Sequence, residues 1–276
     1  MFLKNALKYL ENVKIYCAPG TFSFTETHIF IMNKEFGPIK IKKINKAFLL
    51  NQVATWKGRG LSANTINKRI ALLKRIFKFN KIKSDIFEIK KFKEKFITFG
   101  VLNLEDRQKL KLILPELSLR DSLMISLFYD TGIRLNEMLN LRVNEIDLNF
   151  RIIHLTTTKT NTPRKVFFST ETKKKLENYL KNKSDHIFLF EKSPGEKMTP
   201  NSIELLFRRI RRKYNIKLLS PHVLRHTLSS TLYVNKADLI FISTLLGHSS
   251  PNTTKRYIHY DEILLRTKYD ELNNGL

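Results

Sequence analysis

Apolar residues recur at helical spacing through most of the chain. In SANTINKRIALLKRIFKFN, Ile66, Ile70, Leu73 and Phe77 share one face, and Ser62 or Asn64 can cap the start. The opening MFLKNALKYLENVK is a charged amphipathic pattern without the apolar core of a signal peptide. A further helix is predicted from Asn103, three residues before Asp106 in a capping-box-like pair. Residues 121–129 and 133–141 also read as apolar-periodic helices. The period then changes. Residues 151–158 and 164–168 are rich in Ile, Val, Thr and Phe, and the polar TKTNTP between them predicts a β-hairpin. Helices resume after Pro200, Pro221, Asp238 and Pro251. Thr199, Ser220 and Ser250 precede the three prolines, each a cap followed by proline at the first helical position.

This pattern predicts a mainly α fold with a small antiparallel β-sheet, an α+β arrangement in two domains. A helical domain is expected over residues 1–95 and a mixed one over 96–276. The segment SDIFEIKKFKEKFITFG, residues 84–100, reads as a basic linker.

Charge sharpens the picture. The chain carries 50 Lys and Arg against 25 Asp and Glu, a formal net charge of +25. The first hundred residues hold 21 of the bases and 6 of the acids. An excess of one sign on this scale implies a polyanionic partner, nucleic acid first and an acidic membrane surface second. No apolar run of 18 or more residues is present, which weighs against the membrane. Lys68, Arg69, Lys74, Arg75 and Lys78 lie off the apolar stripe of their helix and are the candidate contacts to a DNA backbone. A merely solvated face is the plainer alternative. Cys17 is the only cysteine, so an internal disulfide and a cysteine-based zinc site are excluded. A reducing cytoplasm fits, with the protein on the nucleoid.

Four segments bring cationic and imidazole groups together. TGIRLNEMLNL places Arg134 and Glu137 one turn apart. The hairpin tip carries Lys159. SPHVLRHTLSS puts His222 and Arg225 at i, i+3. In LLGHSSPNTTKRYIHY, His248 follows a Gly247 helix stop and Tyr257 lies on the next helix. Each has an ordinary reading: a surface ion pair, a dipole-favoured histidine, a core tyrosine. His222 and His226 have metal-ligand spacing, but neither a HExxH pattern nor a third ligand accompanies them.

Together and in this order, the segments resemble the tyrosine recombinase family, which includes Xer recombinases and phage integrases. The Arg of TGIR matches box I, HVLRH matches the HxxR pair of box II, and LGH precedes the nucleophile. Tyr257 lies nine residues after His248 and 32 after Arg225, an Xer-like spacing. The resemblance covers residues 101–276, and SANTINKRIALLKRIFKF is similar to the family's core-binding domain. The lysine loop departs from the pattern, because TKTNTPRK lacks the family's glycines. Lys159 is the first candidate there and Lys165 the second.

The resemblance implies a site-specific recombinase that cleaves and rejoins DNA through a 3′-phosphotyrosyl intermediate. Tyr257 would be the nucleophile, with Tyr260 as the alternative. Arg134 and Arg225 would clamp the non-bridging oxygens, and their charge would lower the pKa of Tyr257. His222 would act as general base or proton shuttle, His248 as a donor to a non-bridging oxygen, Lys159 as the acid for the 5′ oxygen. Glu137 would orient box I. No cofactor is implied, neither metal nor ATP. The implied partner is a double-stranded recombination site, held by a homo-tetramer or a hetero-tetramer with a second recombinase. Leu265, Tyr269 and Leu272 form one stripe of a C-terminal helix, about 261–273, which docks on a neighbouring protomer or packs on its own domain. A type IB topoisomerase-like relaxing enzyme and a non-catalytic DNA-binding protein of the same fold are the competing readings.

Overall fold

The computed structural model describes residues 1–93, 100–156, 163–181, 183 and 185–247. The chain divides into two compact units, Met1–Ile97 and Thr98–Leu276.

Among the described residues of the first unit, four α-helices enclose a core: α1 (Phe2–Tyr16), α2 (Pro19–Phe36), α3 (Lys46–Gly58) and α4 (Ala63–Phe79). Ser62 caps α4 by accepting from the Thr65 amide at 3.2 Å. The predicted stripe Ile66, Ile70, Leu73 and Phe77 is buried against Ile29, Met32, Leu49 and Trp56. Each fully buried side chain of this size contributes about 1.5–3 kcal/mol of transfer free energy.

The apolar face of α4 is wider than its stripe, and this corrects two of the proposed DNA contacts. Arg69 is only 6% exposed. It donates to the Glu35 carboxylate at 3.0 Å and lies over the Trp56 ring, whose Nε1 donates to the same carboxylate at 2.7 Å. Its charge is committed inside the unit. Lys74 donates to the carbonyls of Phe87 and Ile89 at 3.0 and 2.7 Å, so its ammonium clamps a neighbouring segment. Lys68, Arg75 and Lys78 are exposed.

The segment held by Lys74 belongs to the stretch read as a linker. Ile86 and Ile89 are buried in the first core, Asp85 accepts from the Lys46 amide at 2.8 Å, and Asn67 exchanges two hydrogen bonds with the backbone of Phe92, each 2.9 Å. Residues 84–93 are therefore packed structure, because their apolar positions find a core and their backbone finds partners.

The second unit is built around α6 (Leu119–Thr131), preceded by α5 (Leu104–Ile113). Asn103 caps α5 by accepting from the Asp106 amide at 2.7 Å. Every residue from Asp121 to Phe128 is buried, so α6 is enclosed on all sides and forms the centre of this core. The short helix α7 (Leu135–Asn140) follows, then strands β1 (Ile146–Asp147), β2 (Ile152–Leu155) and β3 (Arg164–Phe167) in one antiparallel sheet of that order. After α8 (Thr170–Leu180), β4 (Glu191–Ser193) and β5 (Glu196–Lys197) form a second antiparallel pair. The chain continues through α9 (Pro200–Tyr214), α10 (Pro221–Val234) and α11 (Leu239–Leu246). Thr199 and Ser220 cap α9 and α10 ahead of their prolines, as expected. The fold is mainly α with small antiparallel sheets. Among the described residues, no helix is long and apolar enough to cross a membrane.

The register of β2 and β3 decides what faces inward. Ile153 pairs with Val166 and Leu155 with Arg164, while His154 pairs with Lys165. Directly paired residues share a face and successive residues alternate. Ile153, Leu155 and Val166 are buried, so Arg164 projects to the core side and Lys165 to the opposite, exposed side.

Candidate active site

Two glycine-terminated helices build the site. Gly132 ends α6 in the left-handed conformation with φ 58°, and Gly247 ends α11 with φ 65°. A Cβ on Gly132 would sit 2.8 Å from Leu246 Cδ2, and one on Gly247 would sit 2.8 Å from Arg164 Cδ. Conformation and close approach both demand glycine at these positions. The Thr131 hydroxyl bridges the first turn, donating to Leu127 O at 2.6 Å and accepting from the Ile133 amide at 3.1 Å.

Arg134 is the N-cap of α7. Its amide donates to Glu137 Oε2 at 2.8 Å, and its Nη1 donates to Glu137 Oε1 at 2.8 Å. Its Nη2 donates to the Gly247 carbonyl. Arg225, on α10, is 3% exposed. It donates to the carbonyls of Gly132 and Leu246, each at 2.6 Å. Both guanidiniums are thus oriented by the carbonyls released at the glycine helix ends. His222 precedes Arg225 by one turn, and its ring meets His226 edge-on at 4.6 Å. Arg134, Glu137, His222 and Arg225 line one cavity of about 420 Å³, with Glu204 at its edge.

Electrostatics follow from this packing. Burial opposes charge on Glu137, but the hydrogen bond and charge of Arg164, then the backbone and side-chain hydrogen bonds of Arg134, outweigh it and hold its pKa at about 2. Burial, then the charges of Arg225 and Arg134, lower the pKa of His222. Both effects favour the neutral form of its imidazole. The arrangement combines fixed guanidinium donors for an oxyanion with a neutral base, which suits displacement at an anionic phosphoryl centre.

The structure brings together Arg134 and Glu137 at the start of α7 with His222 and Arg225 of α10. Lys159, His248, Tyr257, Tyr260 and the C-terminal segment lie outside the described residues. Lys165 faces away from the Arg164 side of β3. The sequence reading missed Arg164. Its side chain is 6% exposed and donates from both Nη atoms to Glu137, each at 2.7 Å. Strand alternation could have found it, since an inward Val166 places residue 164 inward as well. Glu137 is likewise no surface ion pair: its side chain is 3% exposed.

Residues 101–262 match the profile of the Phage integrase family. The tyrosine recombinase XerC of Lactobacillus delbrueckii subsp. bulgaricus is 30% identical over 236 residues, covering 77% of each chain. The tyrosine recombinase XerA of Pyrococcus furiosus is 28% identical over 212 residues, 75% of this chain and 74% of that one. Among solved structures, the Tn1549 transposon integrase in complex with transposon right end DNA aligns over 99% of both chains, with TM-score 0.82 and 20% identity. The XerH recombinase bound to its difH substrate aligns over 97% of this chain and 83% of that one, with TM-score 0.73 and 22% identity. With its fold, its paired arginines and these relatives in agreement, the chain belongs to the phage integrase family and is an Xer-like tyrosine recombinase, an enzyme of site-specific recombination.

Proposed function

We propose that this recombinase cuts and rejoins duplex DNA through a covalent 3′-phosphotyrosyl bond to Tyr257. The observation that carries the reading is the convergence of Arg134, Arg225 and His222 on one cavity. In-line attack on a phosphodiester adds negative charge to the non-bridging oxygens. Two guanidiniums meet that charge with planar, paired donors. Their field also favours the phenolate of Tyr257, while His222 takes or relays the phenol proton. His248 is assigned as donor to a non-bridging oxygen and Lys159 as acid for the departing 5′ oxygen; these two and Tyr257 rest on their motifs. Glu137 orients Arg134. The scheme needs neither metal nor ATP, because guanidiniums supply the charge stabilisation and the phosphotyrosine conserves the bond energy for rejoining.

In this reading the first unit is a core-binding domain, with Lys68, Arg75 and Lys78 on DNA phosphates. Four protomers, alike or paired with a second recombinase, hold two duplexes, and residues 261–273 dock in trans around a closed ring. The work is done in the cytoplasm, on the nucleoid.

The test uses a pool of nicked duplexes of randomised sequence, in which cleavage releases a short fragment and traps the enzyme. Adducts stable to detergent are captured and their DNA is sequenced over successive rounds. The expected result is a covalent adduct enriched in one sequence. Binding without any adduct would leave a non-catalytic DNA-binding protein. Adducts without sequence preference, with relaxation of any supercoiled plasmid, would point to a topoisomerase.

A further inference from the structure

Arg164 ties three parts of the second unit together, and the scheme for cleavage gives it no role. Its two Nη atoms hold both oxygens of Glu137, its Nε donates to the Leu245 carbonyl at 3.1 Å, and its Cδ is the atom a side chain at Gly247 would strike. It therefore joins β3 to the box I helix and to the turn ending α11. In sequence, that turn leads directly to His248, and β3 descends from the loop that carries Lys159.

The charge balance at this point matters. Glu137 is a buried carboxylate shared by two guanidiniums, one of which, Arg134, also lines the cavity. While Arg164 neutralises Glu137, the positive charge of Arg134 is available to an incoming phosphate. Without Arg164, the buried carboxylate has Arg134 as its remaining ion-pair partner among the described residues, and the pair becomes neutral as a unit. A buried charge stripped of one partner draws strongly on the other.

We propose that Arg164 is a positioning residue for DNA cleavage: by clamping Glu137 and the Leu245–Gly247 turn, it leaves Arg134 set toward the scissile phosphate instead of consumed by Glu137. This rests on the assignment of Arg134 to the phosphate. It concerns no contact of Arg164 with DNA.

The test compares R164K, R164M and the double variant E137Q/R164M with the wild-type full chain. The probe is the nicked duplex selected by the wild-type protein. Affinity and single-turnover cleavage rate under saturating protein are measured separately. R164M is expected to cleave about 100-fold more slowly, the order seen when one preorganised donor to a reacting oxyanion is removed, with affinity within about threefold. R164K keeps the charge but not the fork, and a loss of about tenfold is expected. The double variant removes the stranded carboxylate and should cleave at least about tenfold faster than R164M, a rescue that a purely structural role would not produce. Cleavage by R164K at the wild-type rate overturns the proposal, as does a double variant no faster than R164M. If R164M fails to fold, R164K alone decides. Absence of cleavage by the wild-type protein would instead strike the functional reading on which this one rests.

Discussion

Replacing Glu137 by Gln should remove a calculable part of the pH dependence of stability. The carboxylate is buried between Arg134 and Arg164, and its pKa is lowered from 4.5 to about 2. A group whose folded pKa is depressed stabilises the fold fully above its unfolded pKa, and that contribution fades as pH falls through the folded value. At 1.36 kcal/mol per unit, the shift corresponds to about 3 kcal/mol at pH 7, consistent with the roughly 3–5 kcal/mol lost when one partner of a buried pair is removed. At pH 3 the same two-state titration leaves about 1 kcal/mol. E137Q should therefore be less stable than wild type by about 3 kcal/mol at pH 7, and the difference should shrink through the window from about pH 4.5 to pH 2. Urea unfolding followed by far-UV circular dichroism at a series of pH values gives the difference. Trp56, the only tryptophan, lies in the first unit and provides an internal control, because its fluorescence transition should not move. A stability difference that stays constant between pH 7 and pH 3 would refute the assignment of Glu137 as a buried, doubly paired carboxylate.

Other consequences are checked more briefly. Gly247→Ala forces a side chain into a left-handed backbone against Arg164, and should cost about 1–2 kcal/mol in unfolding experiments while slowing cleavage. Replacing Lys68, Arg75 and Lys78 by Gln should flatten the plot of log affinity against log salt by about 0.9 for each DNA phosphate no longer neutralised. Arg69→Gln should leave that slope unchanged and destabilise the transition reported by Trp56, since Arg69 is committed to Glu35. Cleavage should persist in EDTA at its usual rate; loss in EDTA with recovery on adding magnesium would contradict the guanidinium-based scheme.

Much of this was legible in the sequence because it is local. Ser62, Asn103, Thr199 and Ser220 cap their helices through amides three residues away, and such signals require no knowledge of the fold. The hairpin announced itself through a change of period, and Arg134, His222 and Arg225 through their motifs. What escaped depends on tertiary partners. Arg69 sits between Ile66 and Leu73 on the buried face, yet it reads as part of a basic run until Glu35, 34 residues away, supplies the counter-charge. Residues 84–93 carry enough lysine to resemble a linker. Burial of Ile86 and Ile89, and the closure of Lys74 onto the carbonyls of Phe87 and Ile89, could not be seen from composition. Arg164 reads as one more base beside the lysine loop, although alternation about Val166 points it inward. Its partner Glu137 lies 27 residues earlier.

The most direct measurement of the central claim is the identity of the residue joined to DNA. The adduct formed on the selected nicked duplex is digested with protease and nuclease, and the modified peptide is sequenced by mass spectrometry. The expected product is a phosphodiester bond from the 3′ end of the cut strand to Tyr257. Tyr257→Phe should form no adduct and keep nearly full affinity for the duplex. An adduct on Tyr260 or any other residue, or adduct formation by Tyr257→Phe, would contradict the claim.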